Sequence, residues 1–197
     1  DGADTGKTNN ANMFTPADGS PARMQMFEWT TASPRIDGDF DAGVIVHEYT
    51  HGTTIRLTGG ASEVHCLVNA EQMREGWSDW YALLFTQQPG DTGPMRRGIG
   101  TYVLDEATSG DGIRPAPYST DVAENDYTYF ATRVLSIPHG VGFVFSTMLW
   151  DMTWALIDVY GYDPDLIAGT GGNNMALALV TEALKLRAAA LAEGYAV

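Results

Sequence analysis

The segment that most constrains this chain is Val44–Gly52, which reads Val-Ile-Val-His-Glu-Tyr-Thr-His-Gly. His47 and His51 are four residues apart, and residues with that spacing lie one above the other on the same face of an α-helix. Both imidazoles can therefore bind one metal ion. Glu48 is turned about 100° from His47 around the helix axis, so its carboxylate can flank the metal without being a ligand.

This spacing is typical of zinc peptidases, in which two histidines bind the metal and the neighbouring carboxylate takes a proton from metal-bound water. The alternative is a surface helix that carries two histidines by chance. Three apolar residues, Val44–Val46, precede the histidines, and Gly52 follows them. These neighbours favour a buried, functional helix, and we predict a metal-binding helix here.

The composition limits the partners of this chain. Its 197 residues, 44% of them hydrophobic, are enough for one domain with a substantial core, or for one lobe of a larger domain. Its formal net charge of −14 provides no basic surface for nucleic acid or for an anionic membrane. The most apolar segment, residues 141–160, contains Asp151 and Asp158 and is therefore predicted to be a buried helix rather than a membrane span. We expect neither nucleic acid nor a membrane among the partners.

The pattern of apolar residues predicts an α+β fold that is mainly helical, with its β structure near the N-terminus. Met24–Trp29 alternates apolar and polar residues as a strand does, Asn10–Met13 could be extended beside it, and Ser33–Phe40 is predicted to be loop. Four helices are predicted. The motif helix is capped by Asp39 or Asp41 and ends near Leu57 or Thr58, and a second helix runs from about Asn69 to Gln87. A third runs from His139 to about Tyr160, and a fourth is capped by Asn173 or Asn174 and runs to about Leu191.

A long ordered loop is predicted over Pro89–Asn125, which is rich in Gly, Pro, Ser, Thr and Asp. The whole pattern divides the chain into two parts. We expect residues 1–40 to form a short β and loop segment and residues 41–197 to form a helical, zinc-binding catalytic lobe; that the first segment lies at the substrate side is implied by the family resemblance given below.

A third metal ligand is needed, because catalytic zinc usually has three protein ligands and one open position. Few other histidines are present, so a carboxylate is as plausible as an imidazole. We prefer Glu75 to Glu63 and Glu71, because Glu75 lies on the second predicted helix with Asp79 one turn beyond it. The carboxylate of Asp79 could accept the free N–H of a ligating imidazole and fix its tautomer. The alternative is that Glu75 is an ordinary surface acid.

The remaining roles in peptide hydrolysis suggest two further residues. Glu48 could pass its proton to the departing amine, and the developing oxyanion needs a hydrogen-bond donor. His139 suits that role by residue type and by its position at a helix start, although a helix-capping or core histidine explains the pattern equally well. Arg114, between Ile113 and Pro115, is the most distinctive residue of the long loop.

Seven further segments accompany the metal motif. They are Asp37–Asp41, Arg56–Gly60, Glu75–Asp79, Arg97–Tyr102, Gly112–Thr120, Pro138–Gly142 and Thr170–Asn174. Together with Val44–Gly52, and in this order, they resemble the fungalysin family of secreted zinc metallopeptidases. The resemblance extends from about Asn9 to Leu186.

The resemblance implies a thermolysin-like fold and an extracellular endopeptidase with one zinc ion. By this resemblance His47, His51 and Glu75 would be the zinc ligands and Glu48 the general base. By the broader similarity to thermolysin-like enzymes, Asp79 would support a ligand histidine. Calcium is a possible second metal, but no residue pattern of the sequence supports it.

The same similarity implies roles for residues around the substrate. His139 would stabilise the oxyanion, and Arg114 would hold a substrate carbonyl group. Asn10–Asn12 resembles the edge strand on which an extended peptide lies, with Asn10 and Ala11 as the predicted substrate contacts. The partner implied by all these roles is a peptide or protein substrate.

The sequence also departs from the family pattern. Most of the β-rich lobe that precedes the active site in the family is absent, as is the C-terminal end, so an N-terminal lobe or a pro-region is a further expected partner. No acid lies five residues before His139, and no tyrosine between His51 and Glu75 clearly matches the one in the active site of thermolysin-like enzymes.

Three hypotheses follow from these observations. The first is a secreted zinc endopeptidase, and the second is an excised or truncated zinc-binding fragment of such an enzyme without activity of its own. The third, a zinc aminopeptidase, is less favoured because no residue is singled out as an acidic anchor for a free amino terminus.

Overall fold

The structure, a computed structural model, describes residues 7–192 and the side chains of residues 7–186. Residues 1–6 and 193–197, which belong to the predicted end segments, lie outside the described residues. The strands are β1 (Ala11–Phe14), β2 (Arg23–Met26), β3 (Glu28–Trp29) and β4 (Ile36–Asp37). The helices are α1 (Ala42–Gly59), α2 (Met73–Phe85), α3 (His139–Tyr160) and α4 (Gly172–Ala192), with short 3₁₀ turns at Gly38–Phe40, Tyr102–Leu104 and Tyr129–Arg133. The predicted α+β class with mainly helical content is confirmed.

The N-terminal β structure consists of two separate antiparallel pairs. Strands β1 and β2 pair with Ala11 opposite Met26, as the predicted hairpin-like unit requires, and β3 pairs with β4. The predicted strand over residues 24–29 is interrupted at the buried residue Phe27, whose carbonyl oxygen accepts a hydrogen bond from Gly38 N–H at 3.0 Å. The prediction that residues 33–40 are loop holds for residues 33–35 but was wrong for residues 36–40, where β4 pairs with β3 and a 3₁₀ turn follows.

Helix α1 begins after Asp41, so Asp41 rather than Asp39 is the cap of the two residues predicted. Asp41 Oδ1 accepts a hydrogen bond from Val44 N–H at 3.0 Å, and Oδ2 accepts one from Val103 N–H at 3.2 Å. This buried carboxylate therefore caps the helix and also attaches it to the long loop. The helix ends at Gly59, slightly later than predicted, because Gly60 follows with a positive φ of 64°.

Helix α2 is shorter than predicted at its N-terminal end. It begins at Met73 rather than near Asn69, because Gln72 adopts the left-handed conformation with φ 51° and its side chain donates to Asn69 O at 2.8 Å. Glu71 is consequently an exposed residue outside the helix. Glu75 and Asp79 remain one turn apart on α2, as predicted.

Helix α3 is the centre of the main hydrophobic core and packs against both α2 and α4. By length and composition alone it could cross a membrane, but most of it is buried inside the fold. The helices α2 and α3 approach closely at two glycines. A Cβ atom at Gly142 would lie 2.4 Å from Glu75 Cβ, and one at Gly76 would lie 2.6 Å from Gly142 O. This close approach brings the start of α3 beside Glu75.

Helix α4 begins at Gly172, so the predicted caps Asn173 and Asn174 are residues of its first turn. Both asparagines instead bind the preceding loop. Asn173 exchanges hydrogen bonds with the backbone of Asp163, and Asn174 Nδ2 donates to Asp165 O at 2.7 Å. The prediction failed because these side chains hold a turn rather than the free N–H groups of the helix.

The long loop between α2 and α3 lacks α-helices, as predicted. Arg97 and Tyr118 form a backbone bridge with two hydrogen bonds of 2.9 Å, and Ile113 N–H donates to Ile99 O at 2.9 Å. Gly112 is required beside this contact, since its φ is +68° and a Cβ atom would lie 2.3 Å from Ile99 O. These contacts fix the part of the loop that lies against α2.

Candidate metal centre

The two motif histidines of α1 face Glu75 of α2. His47 Nε2 lies 3.4 Å and His51 Nε2 lies 3.6 Å from Glu75 Oε2. His47 and Glu75 are each 4% exposed. The structure therefore places together the three residues that the sequence analysis proposed as ligands.

The oxygen at the centre of this group is unusual. Glu75 Oε2 is buried and has no hydrogen-bond partner among the described residues, although imidazole nitrogens surround it. A buried polar atom without a partner is costly. Neighbouring ligand atoms around a tetrahedral zinc, with bonds of about 2.0–2.1 Å, lie about 3.3 Å apart. The observed separations and the nitrogen and oxygen donors therefore fit a zinc ion.

His139, at the first residue of α3, lies beside the same oxygen. Its Nε2 is 3.4 Å from Glu75 Oε2, the same distance as for His47 Nε2. One potential ligand atom from each of His47, Glu75 and His139 lies within 4.8 Å of the other two, and the same holds for His47, Glu48 and His51. The side chain of His139 is 52% exposed. This exposure favours contact with substrate over a role as a metal ligand.

Asp79 forms a hydrogen bond with His47. His47 Nδ1 lies 2.7 Å from Asp79 Oδ1, and both side chains are buried. Because a carboxylate only accepts hydrogen bonds, Nδ1 carries a hydrogen, which leaves Nε2 as the nitrogen that can bind a metal. The predicted contact between Asp79 and a motif histidine is therefore present in the structure.

Arg114 reaches this site from the long loop, but its main partner is a protein carboxylate. Its Nε lies 2.6 Å from Asp79 Oδ2, and its Nη2 lies 2.8 Å from Asp79 Oδ1. Nη1 makes no hydrogen bond to any residue of the described chain. The sequence analysis did not foresee the pairing with Asp79. That Arg114 holds a substrate carbonyl stays a prediction, for which Nη1 is the available donor.

Two hydroxyl groups complete the surroundings of the histidines, and the sequence analysis assigned neither of them. Ser78 Oγ lies 3.1 Å from His51 Nδ1. Tyr118, which is fully buried, donates its hydroxyl hydrogen to Asp79 Oδ2 at 2.6 Å. Both residues belong to segments that resemble the family, but nothing in their sequence spacing indicates that they contact the site.

The two motif histidines have opposite electrostatic surroundings. Burial lowers the pKa of His47, but the hydrogen bond to Asp79 and its negative charge outweigh burial and raise the pKa to about 9. Burial lowers the pKa of His51, and the charge of His47 lowers it further, to about 3. Metal binding must therefore displace a proton from His47, whereas His51 is already neutral at pH 7.

The acidic residues also differ in their pKa. Burial raises the pKa of Glu75, but the contact with His47 and the charges of the histidines lower it to about 2. Burial raises the pKa of Asp79, but the charge and hydrogen bonds of Arg114 hold it well below its usual range. Burial raises the pKa of Glu48 above its usual value. Glu48 is thus the acid of this group that most readily takes up a proton.

A cleft of about 260 Å³ opens beside the candidate ligands. Glu48, His47 and Arg114 line it on one side, and Asn10 and Ala11 of the N-terminal segment line it as well. The carboxylate of Glu48 makes no hydrogen bond to any described residue. Apolar side chains complete the lining of the cleft, namely Trp29, Val44, Ile99 and Ile113. The predicted substrate residues and the predicted base therefore share one cleft.

Comparisons with known proteins point to one family. The sequence pattern of the family described as "Fungalysin metallopeptidase (M36)" matches residues 1–191. "Extracellular metalloproteinase 2" of Arthroderma gypseum is 42% identical over 187 residues, and "Extracellular metalloproteinase MEP" of Fusarium vanettenii is 43% identical over 190 residues. "Extracellular metalloproteinase 2" of Trichophyton rubrum is 41% identical over 187 residues.

Each of these alignments covers 91% of this chain but only 29% of the relative. The chain therefore spans less than a third of the length of the curated relatives that it matches.

Proposed function

Given that the chain belongs to the fungalysin metallopeptidase family, we propose that it hydrolyses peptide bonds in proteins as part of a secreted, zinc-dependent endopeptidase. One observation carries this proposal. The buried atom Glu75 Oε2, which has no hydrogen-bond partner among the residues that the structure describes, lies within 3.6 Å of Nε2 of both His47 and His51, while the carboxylate of Glu48 faces the adjoining cleft.

The residues that would hold the zinc ion are His47, His51 and Glu75. Zinc, when bound, supplies Lewis-acid chemistry: it makes a water molecule more acidic and withdraws electrons from a carbonyl oxygen. Two imidazoles and one carboxylate are one of the donor sets found in catalytic zinc sites. Asp79 and Ser78 would keep the two imidazoles in the orientation that directs Nε2 towards the ion.

Glu48 is proposed to move the proton. Its carboxylate faces the cleft, makes no hydrogen bond within the described part of the chain and has a raised pKa, so it can accept a proton from water and then hold it. The same carboxylic acid can donate that proton to the amine nitrogen when the peptide bond breaks. Burial in the cleft favours this cycle, because the neutral acid is less costly there than in water.

The negative charge that develops on the substrate oxygen would be stabilised by His139 and Arg114. His139 Nε2 is close to Glu75, and half of its side chain is open to solvent. Arg114 is held by Asp79 through two of its nitrogens, so Nη1 is fixed in place for a third hydrogen bond. A donor that is already oriented loses little entropy on binding.

The substrate is proposed to lie as an extended chain along residues 10–11. Asn10 and Ala11 line the cleft at the start of β1. An extended peptide can add to such a strand through backbone hydrogen bonds. This arrangement supports the proposed division into a substrate-side segment, residues 1–40, and a catalytic lobe, residues 41–197. Secretion is proposed because the relatives are named extracellular metalloproteinases.

The substitution Glu48→Gln tests the proposed base. Gln keeps the size of the side chain but cannot accept and return a proton, so casein hydrolysis should fall at least about 100-fold. Zinc content, measured by metal analysis of the purified protein, should stay at one ion per chain. Glu63→Gln, which changes an exposed acid in the same way, is the matched control and should leave hydrolysis unchanged. Near-normal casein hydrolysis by the Glu48→Gln variant would contradict the assignment of Glu48 as the base.

A second candidate function is a zinc-binding module without catalysis of its own. The observation in its favour is that the chain spans only 29% of the relatives' length. The purified 197-residue chain should be tested for zinc binding and for casein hydrolysis, with and without a chelator. Zinc binding without hydrolysis favours the module, whereas hydrolysis that the chelator stops favours the enzyme.

A further inference from the structure

Asp79 is the point at which the long loop contacts the candidate metal centre. Its two oxygens together accept four short hydrogen bonds. Oδ1 accepts from His47 Nδ1 and Arg114 Nη2, and Oδ2 accepts from Arg114 Nε and Tyr118 Oη. A carboxylate has about four sites for acceptance. All four are therefore used, and Asp79 has one defined orientation relative to His47.

The donors to Asp79 are not interchangeable. Arg114 supplies positive charge through two parallel hydrogen bonds, which fix the plane of the carboxylate. Tyr118 supplies a neutral donor to the oxygen that His47 does not contact, since it binds Oδ2 whereas His47 binds Oδ1. Without the Tyr118 hydroxyl group, Oδ2 would lack one partner, and the carboxylate could turn towards Arg114 and away from His47.

Tyr118 is itself held rigidly. Its backbone exchanges two hydrogen bonds of 2.9 Å with Arg97, and its side chain is completely buried. Its ring packs against Phe143 of α3, with the ring centres 5.1 Å apart. The hydroxyl oxygen is therefore fixed relative to both α2 and α3. A donor that is fixed in this way can hold the carboxylate in one orientation, and the carboxylate in turn orients the metal ligand.

We propose that Tyr118 is a positioning residue for the metal centre, acting through Asp79 on His47. The proposal rests on the proposed function in one respect, namely that His47 binds zinc. Tyr118 does not touch the cleft, so it is not a catalytic residue. Its effect is on how strongly and in which geometry the metal is held.

The test compares Tyr118→Phe with Tyr81→Phe in the full chain. Each substitution removes one hydroxyl group from a buried tyrosine. The Tyr81 hydroxyl forms a 2.7 Å hydrogen bond with Thr181, and this bond involves no residue of the metal centre. Any general cost of losing a buried hydroxyl group is therefore present in both variants, and the difference between them reports on the metal centre.

The readouts are zinc affinity, measured by competition with a chromophoric chelator, and the visible absorption of the cobalt-substituted protein. Tyr118→Phe should weaken zinc binding about 10-fold, as is typical when a group that orients a ligand is removed, and should alter the cobalt spectrum. Tyr81→Phe should leave both readouts unchanged. If Tyr118→Phe binds zinc as the unsubstituted chain does, the inference is overturned while the proposed function stands. If the unsubstituted chain does not bind zinc, the proposed function itself fails.

A second measurement avoids the substitution, in case Tyr118→Phe does not fold. A ¹³C label at the Cζ carbon of Tyr118 alone reports the strength of the hydrogen bond that its hydroxyl group makes. Addition of zinc should shift this resonance, because zinc at His47 changes the charge that Asp79 shares with Tyr118. The same label placed at Tyr81 should not shift. An unchanged Tyr118 resonance after zinc loading would overturn the inference.

Discussion

The candidate metal centre has a buried half and an open half. His47, Glu75 and Asp79 project from the packed helices α1 and α2 and are 4%, 4% and 1% exposed. The side chain of His139 is 52% exposed, and Asn10 is an exposed residue that makes no hydrogen bond to any described side chain or backbone group. The first group is buried, with only His47 contributing to the lining of the cleft, whereas the second group is exposed to solvent along the cleft.

This difference separates two tasks. A buried charged group must keep its partners, because an unpaired charge in the interior is strongly destabilising. The buried half can therefore hold a metal ion in one geometry but cannot adapt to different substrates. The open half has few protein partners to lose and is free to contact substrate. Substitutions in the buried half should change metal affinity, and those in the open half should change the rate of hydrolysis or substrate binding.

The largest effect is expected from Glu75→Gln in the buried half. Gln has the same shape but supplies a neutral amide in place of the charged carboxylate that lies between His47 and His51. Zinc affinity should fall by more than about 100-fold, which exceeds the loss typical of groups that only orient a ligand. Chelator competition measures the loss, and hydrolysis should disappear with the metal.

The control for this prediction is Glu71→Gln. Glu71 is exposed and lies just before α2, outside the group of candidate ligands. The Glu71→Gln variant should bind zinc as tightly as the unsubstituted chain does. A Glu75→Gln variant that keeps full zinc affinity would contradict the assignment of Glu75 and would remove the distinction between the two halves.

The sequence predicted the relations between residues of α1 and α2 better than the contacts that the long loop makes with them. His47, His51 and Glu48 follow from spacing on one helix, and Asp79 follows from its position one turn beyond Glu75. These relations are local, so they depend only on helix geometry. They hold even though α2 begins four residues later than predicted, because both acids lie inside the helix that forms.

The loop contacts could not be predicted in the same way. Tyr118 is 39 residues from Asp79 in the sequence, and its approach depends on the backbone bridge to Arg97. No periodicity links residues of an irregular loop to a helix. The pairing of Arg114 with Asp79 was missed for the same reason, although Arg114 itself was singled out. Likewise, the close approach of α2 and α3 at Gly76 and Gly142 requires the packing of both helices to be known.

An intermediate effect is expected from His139→Ala in the open half. Loss of a donor to a developing oxyanion typically lowers kcat by about 100- to 1000-fold. Zinc affinity should change less than about 2-fold if the role of His139 is to contact substrate. Steady-state kinetics and chelator competition on the same preparation measure the two quantities separately.

The control is His65→Ala, which removes another exposed histidine outside the candidate site. It should leave both kcat and zinc affinity unchanged. The result that would break the comparison is a loss of zinc affinity in His139→Ala as large as that in Glu75→Gln. His139 would then be a metal ligand, as its 3.4 Å distance from Glu75 Oε2 permits, and it would belong with the buried half.

The smallest effect is expected from Asn10→Ala, at the outer edge of the open half. One hydrogen bond to substrate contributes about 0.5–1.5 kcal/mol, so its loss should raise KM about 2- to 10-fold without changing kcat. Gln25→Ala, on the paired strand β2 and outside the cleft lining, is the control and should leave KM unchanged. A fall in kcat without a change in KM would place Asn10 near the reacting atoms. The open half would then contribute to chemistry over its whole length, rather than to substrate binding at its edge.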